Sequence, residues 1–237
     1  MEKKSFVGEH DELNCWISFV LYAVTGKMRE ADAVMKEHGD LVRAQARRQR
    51  KLSPIKERPL YRGIVLQNGC AISNNSAVEL GGFGIAVSLP VDPGPNLIGE
   101  DGCVSHALEE MEFVSHTEDL ECAQWFASPD AAVSAFASAV RPGIRGYVVR
   151  LPKPPSTVLW HHSWTDARTS GGRIPLSAAA LQHPHIAPYV SQFLWNLETQ
   201  KEVITMPSKR RFKIEPLKDV DVKALDRRFC HPDFLEE

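Results

Sequence analysis

The chain reads as an α+β fold, and three observations predict it: an opening of about fifty-five residues with helical composition, a change of texture after Pro59, and a following series of short apolar runs separated by Gly, Pro, Asn and Asp. The longest apolar stretch, Leu13 to Val24, repeats apolar residues at steps of three and four (Leu13, Trp16, Ile17, Val20, Leu21, Val24), the pattern of one helix face against a core. It contains Asn14 and Ser18 and is about half as long as a bilayer-crossing helix, so a buried helix is expected and no membrane partner. Asp11 is its expected cap and Thr25-Gly26 its expected stop. From Met28 to Leu52, Ala, Glu, Lys, Arg and Met dominate, and no proline appears until Pro54, which predicts a second helix. Arg43, Arg47, Arg48, Arg50 and Lys51 fall in its second half; a solvated face accounts for them better than an anion-binding surface. Residues 1–55 are therefore expected to form a helical segment packed on a domain of residues 56–237, within one compact unit.

The expected strands are Leu60–Leu66, Gly84–Ser88, Glu112–Ser115, Gly146–Leu151, Thr157–Trp160, Lys201–Met206 and Arg211–Ile214. The alanine-rich stretch Leu120 to Val140 predicts one or two helices, the second beginning after Ser128-Pro129-Asp130. Segments 67–105 and 161–192 are rich in Gly, Pro, Ser and His with weak periodicity, and long loops of this kind are expected to act as lids.

The formal net charge of -2 supplies no global basic field for nucleic acid and no acidic excess for disorder. Five cysteines are odd in number, scattered and without C-x-x-C spacing, which predicts reduced thiols and a reducing compartment. The start Met1-Glu2-Lys3-Lys4-Ser5 continues into polar residues instead of a signal peptide's apolar core. A cytoplasmic location, of the producing or of a target cell, is expected.

Three segments could carry chemistry: Leu60-Tyr61-Arg62-Gly63; Glu112-Phe113-Val114-Ser115-His116-Thr117-Glu118-Asp119, followed by Ala123 and Phe126-Ala127; and Gln200-Lys201-Glu202-Val203-Ile204, followed by Arg211-Phe212-Lys213-Ile214. Singly each is common: a surface arginine, an N-cap ahead of the Leu120 helix, the wet face of a strand. In this order and spacing, over roughly residues 60–215, they resemble the arginine-serine-glutamate branch of the mono-ADP-ribosyltransferases, which includes toxin, phage and vertebrate ecto-enzymes. His116 and Thr117 depart from the Ser-Thr-Ser usual in that branch; Ser115 keeps its first position.

The resemblance implies an ADP-ribosyltransferase fold, a split two-sheet β core entered through N-terminal helices, with NAD bound as substrate in the cleft. It implies Glu202 beside the nicotinamide ribose, stabilising the charge that develops as the glycosidic bond breaks. Ser115 would hold that carboxylate, and Arg62 would meet the diphosphate with its planar fork of donors. Gly63 would admit backbone groups close to the nicotinamide amide, with Thr117 and Phe126 lining the cofactor. Gln200 lies two residues before Glu202, on one strand face with it if the strand begins there. In relatives, glutamine at this position goes with asparagine or guanine acceptors and glutamate with arginine, so a non-arginine protein side chain or a nucleic acid is the favoured macromolecular acceptor. Glu198, a further two residues back, is the competing choice for this position. Trp195 and Phe193, just upstream, are candidates for acceptor recognition, against a core role.

Two other functions compete. With water as acceptor the enzyme would be an NAD glycohydrolase; without catalysis, the same fold would be a protein- or nucleic-acid-binding module using the basic 43–51 helix. An effector, a phage protein or a toxin with an immunity or antitoxin partner all fit. No metal is expected: His161-His162 and His183-Pro184-His185 could ligate one, but the proline within the latter and the lack of a partnered carboxylate or cysteine favour a loop or surface reading. Ser105-His106 lacks a nucleophile-elbow pattern, Gly81-Gly82-Phe83-Gly84 matches no nucleotide fingerprint, and Arg168 and Arg173, which flank Thr169-Ser170-Gly171-Gly172, are expected in solvent.

Overall fold

The computed structural model describes residues 9–68, 70–71, 97–106, 112–131, 143–153 and 157–234. Two helices open it, α1 (Glu9–Val24) and α2 (Met28–Leu52). α1 stops at Val24 as expected, with Gly26 two residues on at φ 77°, open to glycine without strain, and Thr25 Oγ1 donating back to the Leu21 carbonyl at 2.7 Å. The expected Asp11 lies inside α1, two residues after its start at Glu9. α2 has the expected bounds and bends at His38, where φ is -127°. Its buried stripe, Ala31, Met35, Val42 and Ala46, extends through Gln45 and Gln49, both 0% exposed. These glutamines bond the edge of a later strand: Gln45 Nε2 donates to the Arg168 carbonyl at 2.8 Å, and Gln49 Oε1 accepts from Arg168 N–H at 2.9 Å. The buried amides thus meet strand backbone, although Gln45 Oε1 has no partner among the described residues.

Among the described residues ten strands follow: β1 (Leu60–Gln67), β2 (Cys70–Ala71), β3 (Cys103–Ser105), β4 (Val114–Thr117), β5 (Ile144–Leu151), β6 (Val158–His161), β7 (Asp166–Thr169), β8 (Gly172–Pro175), β9 (Glu202–Thr205) and β10 (Arg211–Pro216). Eight form a sheet of order β3-β10-β5-β1-β4-β9-β6 with β2 paired to β1, and β7-β8 form a separate hairpin. Every pairing is antiparallel. β1 and β5 pair along their whole length, from Leu60↔Leu151 to Gln67↔Ile144, whereas β1 and β4 meet at the single bridge Tyr61↔Thr117. The expected two sheets are one by hydrogen bonding, pinched where one ladder (β3, β10, β5, β1) touches the other (β4, β9, β6).

Four further helices complete the described chain: α3 (Leu120–Ala127), α4 (Leu176–Gln182), α5 (Val190–Thr199) and α6 (Val222–Phe229). Segment 161–192, expected as a loop, instead contains the β7-β8 hairpin and α4, because Leu176 and Ala180 bury one turn apart and Ala167 buries from β7. The expected strand at 84–88 and the lid expectation for most of 67–105 lie outside the described residues, as does most of the second helix of 120–140.

The helical layer and the sheet share one apolar cluster, in which Trp16, Phe19, Phe113, Trp160 and Trp164 are almost wholly buried. Two of the three indoles are satisfied across layers, Trp16 Nε1 donating to the Leu159 carbonyl at 2.9 Å and Trp164 Nε1 to the Ser53 carbonyl at 2.8 Å, while Trp160 Nε1 has no partner among the described residues. Phe19 and Phe113 meet edge to face, centroids 5.2 Å apart. Among the described residues no helix is long and apolar enough to cross a membrane, and Cys15, Cys103, Cys122 and Cys230 are unpaired thiols.

Candidate active site

Glu202 opens β9 directly opposite Thr117 of β4, and Ser115 lies two residues along β4 from Thr117. Strand alternation therefore puts Ser115, Thr117 and Glu202 on one face. Ser115 Oγ donates a hydrogen bond to Glu202 Oε1. Glu202 is 8% exposed. Burial raises its carboxyl to about 7, against the opposing pull of the Ser115 bond, which favours the ionised form.

The approach to Glu202 is held from below. Lys201 stands at φ 45°, a left-handed conformation uncommon for a residue with a side chain. Its carbonyl accepts from Glu118 N–H at 3.1 Å, and its ammonium lies 3.4 Å from Asp119 Oδ2. Thr117 Oγ1 donates to the Gln200 carbonyl and accepts from Asp119 N–H at 2.9 Å. The Thr117 hydroxyl thus serves as a strut under the β9 corner. Asp119 caps α3, Oδ1 accepting from Glu121 N–H at 3.0 Å, while Arg228 from α6 lies 2.7 Å from its other oxygen.

Arg62 does not join this pair. It follows Tyr61, which shares the Thr117 side of the sheet, so alternation turns its side chain to the opposite face. There its Nη1 donates to the His106 carbonyl at 2.9 Å. His106 stacks on His116, with Nε2 atoms 3.0 Å apart. His106 Nδ1 accepts from Ser208 N–H at 3.0 Å, so its proton sits on Nε2 and is donated to His116. His116 then carries its own proton on Nδ1, a buried atom with no partner among the described residues. Burial, aided by the Arg62 charge, lowers the pKa of His106 to about 4 and depresses that of His116 as well.

Gly63 supports packing instead of an open cofactor surface. A Cβ there would overlap the Ala123 carbonyl oxygen, and one at Gly146 would overlap that of Ala127, so α3 lies directly on β1 and β5. Phe126, half-buried, stacks edge to face on Trp125 at 4.8 Å beside this contact.

Gln200 is also displaced from its expected position. α5 continues to Thr199, Gln200 is its helical C-cap, and β9 begins only at Glu202. The Gln200 amide turns to Asn196 Oδ1 at 3.0 Å, so alternation from Glu202 does not apply to it. Glu198 lies on the same helix and is exposed. Phe193 is 0% exposed in the main core, which removes it from acceptor recognition. Trp195 is half-buried, donating through Nε1 to the Phe229 carbonyl at 3.0 Å, and so docks α6. A helical signal was present in Val190, Phe193 and Leu197, apolar at helical spacing.

One grouping has no local signature in the chain: His161 and His162 at the end of β6 bracket the Glu118 carboxylate, 43 and 44 residues earlier. Arg168 N–H bonds Gln49 and its guanidinium the Leu52 carbonyl, while Arg173 lies 3.7 Å from Asp166, so both belong to the α2–β7 contact and its hairpin. His183 and His185 face each other at 6.0 Å beside Tyr22. Comparison with protein-family models, curated proteins and solved structures finds no match for this chain.

Proposed function

We propose that the chain is a NAD-consuming mono-ADP-ribosyltransferase in which the Ser115–Glu202 pair acts on the nicotinamide ribose. The observation that carries this reading is the hydroxyl–carboxylate hydrogen bond between neighbouring strands, with Glu202 otherwise buried. The bond between ribose C1′ and the nicotinamide nitrogen breaks with its electron pair leaving on nicotinamide, and a carboxylate beside the sugar lowers the energy of the cation left behind. Ser115 orients that carboxylate and favours its charged form. Arg62 enters as an organiser of the opposite face through the His106 carbonyl.

The acceptor in this scheme is a macromolecule, a non-arginine protein side chain or a nucleic acid. Water is the second reading, and the turned-away Gln200 amide favours it, because no acceptor-orienting amide then stands beside Glu202. Incubating the protein with labelled NAD, with and without cell lysate, separates the two. Transferase activity leaves label on material destroyed by protease or by nuclease, whereas a glycohydrolase releases nicotinamide at full rate without lysate. Glu202→Gln is expected to reduce nicotinamide release by about 10²-fold or more while the fold survives. An undiminished rate in that variant would reject the assignment.

A further inference from the structure

We propose that Glu118, His161 and His162 form a binding site for a divalent transition cation such as Zn2+, clamping the corner from which Glu202 projects. The donor set comes from two strand ends, Glu118 immediately after β4 and the histidine pair at the end of β6. His161 Nε2 lies 3.2 Å from Glu118 Oε1 and His162 Nε2 3.1 Å from Glu118 Oε2. Around a four-coordinate zinc with bonds of about 2.0–2.1 Å, neighbouring ligand atoms stand about 3.3 Å apart, so the carboxylate and each ring are already at coordination spacing. All three donor atoms fall within 4.8 Å of one another, and His162, 24% exposed at its side chain, has room to close the remaining gap. Imidazole and carboxylate suit zinc and its neighbours, and three protein ligands leave a fourth position for water or a substrate atom.

The outer contacts fit this use. Glu118 is 6% exposed at its side chain and His161 likewise, so the cation would sit against low-dielectric surroundings that strengthen its attraction to the carboxylate. His161 Nδ1 is 2.8 Å from Ser163 Oγ and also accepts from Ser163 N–H at 3.1 Å. Ligation through Nε2 puts the ring proton on Nδ1, so the bond from Ser163 N–H is given up and the Ser163 hydroxyl at 2.8 Å accepts that proton, as the outer partner of a metal-bound imidazole does. Arg58, with Nη1 3.6 Å from Glu118 Oε2, is the built-in competitor; its side chain is 59% exposed and can swing clear.

The site sits where it can matter for Glu202. Glu118 N–H donates to the Lys201 carbonyl at 3.1 Å, and His162 N–H to the Glu202 carbonyl at 2.9 Å. Two ligands are thus bonded through their own backbone to the left-handed residue and the glutamate that follows it. A bound cation would hold β4, β6 and β9 together at one point. A cation here is independent of NAD chemistry and runs against the expectation of no metal, since Glu118 supplies the partnered carboxylate from another strand.

The test uses the full chain stripped of metal by chelation, with Zn2+ in calorimetry and Co2+ in absorption. One Zn2+ per chain in the micromolar range or tighter is expected, with Co2+ bands of a nitrogen–oxygen site and a raised Tm. His162→Ala, at the most exposed ligand and so least disruptive, weakens binding about tenfold or more, Glu118→Gln does the same, and Arg58→Ala tightens it. Circular dichroism checks the fold of each variant. No saturable binding, or binding that survives His162→Ala at full strength, would overturn the proposal.

Discussion

The two faces of the β1–β4–β9 strands carry buried ionisable groups of opposite kind. Beneath α3, Glu202 is buried with a single hydroxyl donor, and its carboxyl rises to about 7. Behind it, His106 and His116 are buried beside Arg62, and His106 falls to about 4. Desolvation disfavours whichever form is charged, so the same burial holds an acid toward its neutral form and a base toward its own. A close pair of strands can therefore present a reluctant carboxylate on one side and reluctant imidazoles on the other. Each side should fail at a different end of the pH range.

The largest break in this contrast should come from Gly63→Ala. The added methyl meets backbone of α3, which cannot move aside as a side chain could, and a loss of about 3 kcal/mol is expected in denaturant unfolding. A neutral result would mean that α3 does not lie on β1 as described.

A smaller effect sharpens the acid side. Glu202 has a folded pKa above its unfolded value, so its contribution to stability is full below about 4.5 and is lost as pH rises through about 7. Glu202→Gln mimics the neutral form and should therefore match the parent near pH 4 and exceed it by about 2 kcal/mol at pH 8. Equal stability at both pH values would show that the carboxylate ionises without cost. The base side runs the other way. His106 has a depressed folded pKa, so its contribution is present above about 6.5 and lost as pH falls toward about 4. Unfolding at pH 7 and pH 5 should show the parent losing about 1–2 kcal/mol on acidification, and His106→Gln losing less.

The smallest expected effect tests a sequence-based site. Gln200→Ala removes an amide bonded to Asn196, not one beside Glu202, so NAD turnover should change less than about threefold while stability drops by about 1 kcal/mol. A large loss of turnover with unchanged stability would return Gln200 to the site.

Much of the framework was legible. α2 was readable end to end because its composition favours helix and Pro54 bars continuation. β1, β5, β6 and β10 were found within a few residues, since short apolar runs bounded by turn residues signal strands. The stretch from Leu176 to Thr199 was not, because α4 is short and α5 mixes aromatics with polar residues, so its helical spacing is weak against the strand-like look of its side chains. That miss moved Gln200, Phe193 and Trp195 out of the site together.

By itself the sequence determined which residue types were available and on which local elements: a serine ending one short strand, a glutamate one residue into another, an arginine two residues into a third, and helices at the start. Tertiary structure alone decided what meets what. Ser115 and Glu202 are 87 residues apart and touch because β4 pairs with β9; Glu118 meets His161 and His162 because β6 lies on the other side of β9. Arg62 fell on the far face because the one bridge at Tyr61↔Thr117 sets the register, and shifting a strand by one residue exchanges its faces. Periodicity along a chain reports which side of an element is wet or dry; it holds no record of which distant strand supplies the neighbour.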